Sequence, residues 1–263
     1  MSWEFVLYNK EDGIGTITLN RPEAMNALGG GMRQEILEAL ESAAADREVR
    51  VIVITGSGKA FCAGGDVKEF VSGTSRAGTD IPLDQRPTRD KIVLLIQATG
   101  KPVIASVNGV AAGGGCNLAL ACDMRIVSER ARFGEVFVRR GIHPDWGGTW
   151  FLPRLVGYAK AAELIFSGEV IDAQEALRIG LVNKLVPHEE LPKATREFAL
   201  KFVRTAPIPI ALAKKALQNY ARLDLIQALD HEQIAQEICR KTEDRVEGMK
   251  SFVEKREPVF KGK

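Results

Sequence analysis

The sequence predicts an α/β protein with a largely parallel sheet and an α-helical region at its C-terminal end. Short apolar β-type runs alternate with segments of helical periodicity, glycine-centred turns follow the buried runs, and from about residue 159 the pattern is helical throughout.

The runs Phe5-Val6-Leu7-Tyr8 and Gly15-Thr16-Ile17-Thr18-Leu19 flank Glu11-Asp12-Gly13, a hairpin signature. After the break at Asn20-Arg21-Pro22, the residues Met32, Ile36, Leu37, Leu40, Ala43 and Ala44 recur at helical spacing, and Val51-Ile52-Val53-Ile54-Thr55 follows as a buried strand. The cycle repeats with a helix across about 86–99, a strand at 102–107, a glycine turn, a helix at 114–122 and a strand at 124–127. Strands separated by helices are joined by crossovers and pair in parallel. Residues 73–89, rich in Gly, Pro, Ser and Thr, predict a mobile surface loop of a length that borders a site. Breaks at Ser167-Gly168, Gly180, Pro187 and 207–209 divide the helical part.

With 45% hydrophobic and 27% charged residues, the 263-residue chain supports one large core and an appendage. Its 36 basic and 34 acidic residues form no basic stripe, and its aromatics do not interleave with Lys and Arg, which excludes a nucleic-acid platform. Cys62, Cys116, Cys122 and Cys239 form no Cys-x-x-Cys pair and read as free thiols of a reducing compartment. Apolar runs fall far short of the roughly 20 residues of a membrane span. The polar start lacks a signal peptide's regions, so the expected location is the cytoplasm, with no membrane partner.

Several motifs fail. Gly56-Ser57-Gly58-Lys59-Ala60 is not a triphosphate loop, because Val53 stands where its first glycine belongs and Ala60 where a hydroxyl would bind magnesium. Gly113-Gly114-Gly115 does not complete a dinucleotide fingerprint, and there is no nucleophile elbow. His143, His188 and His231 are scattered, so no metal site is predicted.

Two glycine junctions remain, residues 60–66 and 108–116, each after a buried strand. Glycine there lets main chain approach a ligand, and two converging N–H groups could hold one carbonyl oxygen. The same glycines equally serve tight strand-to-helix turns. In Gly141-Ile142-His143-Pro144-Asp145-Trp146-Gly147-Gly148, Asp145 reads locally as a helix N-cap and, with no other motif in play, also as a candidate acid/base.

The segments AFCAGGDVKEF at 60–70, KPVIASVNGVAAGGGCNLALACD at 101–123, LNRPEAMNAL at 19–28, SGEVIDAQEALRIGLVNKLV at 167–186 and EGMKSFVEKREPVFKGK at 247–263 resemble, in order, the crotonase or enoyl-CoA hydratase/isomerase superfamily. The resemblance implies a spiral of ββα turns over residues 1–200 that carries an acyl-CoA site. It also implies a C-terminal helical region, 201–263, that mediates homo-trimers or hexamers. There is no prosthetic group; coenzyme A enters as part of the thioester substrate. The family's oxyanion N–H groups match Gly65 and Gly114. Its coenzyme A contacts match Ala24, Met25, Ala63, Gly65, Asp66, Val67 and Lys68, with Phe252 and Lys255 approaching from the neighbouring subunit.

The two glutamates of the family's hydratases match Asn117 and Phe137 here, and neither can act as general base. Glu135 lies close in sequence but out of register. Members that shift double bonds or rearrange rings on acyl-CoA, among them the ring-epoxide isomerase branch of phenylacetate breakdown, carry an aspartate where Asp145 stands in Pro-Asp-x-Gly-Gly-Thr. The resemblance therefore implies an isomerase with Asp145 as acid/base, Gly65 and Gly114 as oxyanion donors, and Asn117, Phe137 and Trp146 lining the pocket. The alternatives are a hydratase, a dehalogenase-like member with Asp145 as nucleophile, and a non-catalytic binding protein on this fold.

Overall fold

The computed structural model describes residues 3–72, 86–219 and 222–263. Most of the loop predicted over 73–89 lies outside them. Asp12 and Gly13 turn with φ of 48° and 76°, the left-handed pair a two-residue hairpin needs. They join β1 (Val6–Glu11) to β2 (Ile14–Leu19), antiparallel, with Val6 opposite Leu19. Helix α1 (Met32–Ala45) buries Met32, Ile36, Leu40 and Ala43, the stripe that its 3.6-residue period places on one face. Strand β3 (Val51–Gly56) then pairs in parallel with β2.

From β3 onward each turn of the chain gives one strand to each of two sheets. β3 is followed by β4 (Ala60–Cys62), α2 (Val67–Val71) and α3 (Thr88–Ala98). β5 (Val103–Val107) is followed by β6 (Val110–Ala112) and α4 (Gly114–Ala121), and β7 (Met124–Ser128) by β8 (Arg132–Gly134), α5 (Gly148–Val156) and α6 (Tyr158–Ser167). Next come β9 (Val170–Asp172), α7 (Ala173–Arg178), β10 (Lys184–Val186) and α8 (Leu191–Val203). The larger sheet runs β1-β2-β3-β5-β7-β10 and the smaller β4-β6-β8-β9, parallel except at β1/β2 and β8/β9. This is the α/β spiral that the sequence predicts.

One departure lies after residue 159, where the sequence reads as helix throughout but β9 and β10 form. Each is three residues long, too short for a period-two signal, and each exists because an edge of a finished sheet offers it hydrogen bonds: β9 pairs with β8 and β10 with β7. The smaller sheet consists wholly of such three-residue strands.

The larger sheet is covered on both faces, as a mostly parallel sheet must be. Ile52, Ile54, Val103, Ala105 and Val127 point into the main core with α1, α3 and α4, while Val51, Val53, Ile104 and Ile126 pack in a second core against Leu191, Ala194 and Ala199 of α8. All eight residues of α4 are buried, and the guanidinium of Arg125 caps its last turn, donating to the carbonyls of Ala119 at 3.2 Å and Cys122 at 2.8 Å. A cation there complements the negative end of the helix dipole. No helix is long and apolar enough to cross a membrane, and no group of His, Cys, Asp and Glu could hold a metal, among the described residues. The four cysteines are unpaired.

Helices α9 (Pro207–Asn219), α10 (Leu225–Arg240) and α11 (Glu243–Glu254) complete the chain. α9 is fastened to the body by the buried Lys214, whose Nζ donates to the carbonyls of Ile96 (2.7 Å) and Lys101 (3.0 Å) and pairs with Asp123 at 2.7 Å. Truncating one member of a buried pair strands the other. Lys214→Ala is expected to cost about 3–5 kcal/mol in urea unfolding; a loss below about 1 kcal/mol would place this contact with ordinary surface pairs.

Candidate active site

Two glycine turns meet at the ends of β4 and β6. Gly64 has φ +91°, and a methyl there would lie 2.6 Å from the Ala112 carbonyl oxygen and 3.4 Å from the Gly114 nitrogen. A methyl on Gly115 would lie 2.1 Å from the Cys62 carbonyl oxygen. Any side chain at these points would drive the turns apart, so glycine is required for contact rather than for flexibility. Gly113, at φ +51°, donates to the Gly134 carbonyl at 2.9 Å and opens α4, which leaves the Gly114 amide at the helix's positive end. The Gly65 amide, on an exposed bend, donates no hydrogen bond among the described residues. Two unspent N–H groups on adjoining turns suit an anionic oxygen.

A third segment supports the first turn. Met25 and Asn26 are left-handed at φ 52° and 55°, a conformation asparagine tolerates better than most residues. The fully buried Asn26 earns its place there: its Nδ2 donates to the carbonyls of Ser57 and Ala60, and its Oδ1 accepts from Arg21 N. The Met25 carbonyl accepts from Ala63 N at 3.0 Å, and Leu28 N donates to the Gly64 carbonyl at 2.7 Å. Arg21 pairs with Asp66 at 3.2 Å, and the Asp66 carboxylate also accepts from Lys68 N. Ala24, Met25, Ala63, Asp66, Val67 and Lys68 thus form one ledge. Phe252, 84% exposed, and Lys255, which ends α11 in the left-handed region, contribute to none of these contacts within the chain.

Asp145 reaches the second turn through its neighbours. Trp146 is buried at φ +53°, and a methyl on Gly114 would sit 2.9 Å from its Nε1; the ring of Phe137 lies 3.7 Å from where a methyl on Gly113 would be. Asp145 is not a helix cap: the N-cap of α5 is Gly147, with no side-chain cap bond. Its main-chain carbonyl accepts from Gly148 N at 3.1 Å and Asn117 Nδ2 at 2.8 Å. Among the described residues the buried Oδ1 of the carboxyl has no hydrogen-bond partner, while Oδ2 stands 3.7 Å from Arg89 Nε. Desolvation raises the pKa of Asp145; Arg89 opposes that shift and Asp90 adds to it.

The structure therefore sets Phe137 and Trp146 against the turn of Gly113 and Gly114, with Asp145 next to Trp146 in the chain and Gly65 next to Gly64, whose added methyl would lie 3.4 Å from the Gly114 nitrogen. Asn117 stands behind it: it is 0% exposed, and its carboxamide is taken up by Asp145 and by Glu135 Oε2 at 3.3 Å. Trp150 is 37% exposed, with the guanidiniums of Arg154 and Arg222 over its ring at 3.2 and 4.9 Å. His143 is exposed, and its ring nitrogen lies against the Pro144 carbonyl, as a turn residue's would. Two neighbours of Asp145 were not singled out as site residues. Arg89 carries no local signal, since only folding sets the first turn of α3 against the Asp145 turn. Glu135, set aside from its sequence position, lies just past the end of β8 and is turned inward against Asn117.

The family profile described as enoyl-CoA hydratase/isomerase matches residues 9–263, and the chain belongs to that family. It is 41% identical over 252 residues to the short-chain-enoyl-CoA hydratase of Clostridium acetobutylicum, covering 95% of each chain. It is 40% identical to the crotonyl-CoA hydratase of Syntrophomonas wolfei, covering 99% of each, and 38% identical to the 2,3-dehydroadipyl-CoA hydratase of Escherichia coli, covering 98% and 99%. The crystal structure of an enoyl-CoA hydratase from Bacillus anthracis superposes with a TM-score of 0.91 at 38% identity, over 99% of this chain and all of that one.

Glu135 offers a direct check on the buried polar cluster. It is 2% exposed, its carboxyl meets Asn117 Nδ2 and the Cys116 thiol, and burial lifts its pKa from 4.5 to about 7. Below pH 4.5 the carboxyl is protonated in both folded and unfolded chains; between 4.5 and about 7 only the unfolded chain releases the proton, so stability falls as pH rises and then levels off. Glu135→Gln should gain on wild type by roughly 3 kcal/mol between the two ends of that window. Equal pH dependence of the two proteins in thermal unfolding would contradict the assignment.

Proposed function

We propose that this protein acts on acyl-CoA thioesters, holding the thioester oxygen with the amides of Gly65 and Gly114 and moving a proton with Asp145. One observation carries the reading: a desolvated carboxyl that caps no helix stands on the turn whose Trp146 packs against Gly114. Removing a proton beside a thioester leaves an enolate, and each preorganised N–H is worth about 3 kcal/mol to it. Phe137 and Asn117 exchange no proton, so one carboxylate takes the proton from one carbon and returns it to another. Its raised pKa suits a group that must hold the proton between those events. Double-bond migration is the reaction these residues favour.

Hydration is the second reading, and the relatives support it better, since those named above are hydratases. In that case the Asp145 carboxylate takes a proton from water as the water oxygen bonds to the carbon β to the thioester, then passes that proton to the α carbon. Coenzyme A lies along the ledge of Ala24, Met25, Ala63, Asp66, Val67 and Lys68 and is completed by Phe252 and Lys255 of a neighbouring copy. The exposed apolar residues Leu225, Ile226, Ile234, Phe252 and Val253 of α10 and α11 support a homo-trimer or hexamer.

A panel of 2-enoyl- and 3-enoyl-CoA in deuterated water tests the chemistry. Migration gives the regioisomeric enoyl-CoA and hydration the 3-hydroxyacyl-CoA; in either case Asp145→Asn should lower the rate at least about 100-fold. An Asp145→Asn protein that exchanges label as fast as wild type would remove the residue from the chemistry. Sedimentation should give a mass that is a multiple of three chains of 28.7 kDa; a monomer would leave Phe252 and Lys255 without a role at the site.

A further inference from the structure

The carboxyl of Glu135 is enclosed between α4 and the Asp145 turn and meets no cation among the described residues. Its Oε2 accepts from Asn117 Nδ2 at 3.3 Å, and the same nitrogen donates to the Asp145 main-chain carbonyl at 2.8 Å. Gly148 closes on the other side of the carboxamide: a methyl there would sit 2.4 Å from Nδ2 and 2.6 Å from Oδ1, so the group has little room to turn. Glu135, Asp145 and Gly148 thus all close on one amide. The lock ends on the peptide that carries the Asp145 carboxyl.

We propose that Glu135 is a positioning residue for proton transfer at Asp145: through the Asn117 carboxamide it fixes the Asp145 main-chain carbonyl and with it the aim of the reacting carboxyl. The inference rests on the role given to Asp145 above. A carboxyl buried against an amide and a thiol, with no cation among the described residues, is costly to keep, and such groups gather where a site needs them. The titratable groups facing Glu135 are the Cys116 thiol on α4 and Asp145 itself. Behind them, Arg125 acts on Cys116, while Arg89, Asp90 and Arg33 act on Asp145. Ionising Glu135 therefore sets a second negative charge toward Asp145 with no cation of its own to offset it. That places a titration near neutrality in the turnover of the wild-type enzyme.

The test is steady-state kinetics of the full chain across pH, with whichever short-chain 2-enoyl- or 3-enoyl-CoA wild type converts. Glu135→Leu should lower kcat about tenfold to a hundredfold while KM stays within about twofold, because displacing a reacting group costs rate rather than binding. Glu135→Gln, which keeps shape but not charge, should hold kcat in the acidic range and lose the near-neutral titration. A folded Glu135→Leu protein with wild-type kcat and pH profile would overturn the proposal. If that variant does not fold, a wild-type titration retained by Glu135→Gln overturns it instead. Asp145→Asn measured in parallel separates the two levels: its full activity would remove the underlying reading, whereas its inactivity beside unaltered Glu135 variants would remove only this one.

Discussion

Two main-chain turns pressed together at glycine distance are the constraint on which the site depends. The Gly64 position leaves 2.6 Å between an added methyl and the Ala112 carbonyl, and the Gly115 position leaves 2.1 Å to that of Cys62. No rotamer relieves a backbone-to-backbone clash, so a Cβ at either point would separate the ends of β4 and β6. The amides of Gly65 and Gly114 share one locality only because these strands pair, Ala60 with Val110 and Cys62 with Ala111. The surrounding hydrogen bonds serve the same end: Asn26 holds the Met25 turn, which accepts from Ala63, and Gly134 accepts from Gly113.

Charge is placed sparingly around that junction. Phe137 and Trp146 present apolar surface at the second turn, and the carboxyls nearby include Asp145, partly open and opposed by Arg89, and Glu135, enclosed without a cation among the described residues. Both pKa values rise for the same first reason, desolvation, but the consequences differ with access. The Asp145 carboxyl is partly open to solvent. Glu135 is enclosed and meets Asn117 and Cys116 among the described residues.

Membership in the enoyl-CoA hydratase/isomerase family coexists with a departure from the pair of glutamates that its hydratases use. The relatives' names lean toward water addition and the residues at Asn117 and Phe137 toward a one-carboxylate proton shift. On the proposed reading both reactions run through the same enolate and use the same two amides, and the groups on the far side of the pocket select its fate.

The sequence by itself determined the α/β class, the hairpin, α1, the parallel order and the three segments that form the candidate site. Each rests on local physics: period-two and period-3.6 apolar spacing, the left-handed demand of Asp12-Gly13, and glycines at strand ends. The residues alone left both options open for Asp145, cap or acid, and the family resemblance turned the reading to acid. The tertiary structure removes the cap, because Gly147 takes that position and the Asn117 carboxamide takes the Asp145 carbonyl. The smaller sheet, β10, the Arg89 contact and the Glu135 clasp were likewise decided there. Three-residue strands and long-range polar contacts leave no periodic mark, since their partners are supplied by chain that is distant in sequence and becomes adjacent only when the spiral closes.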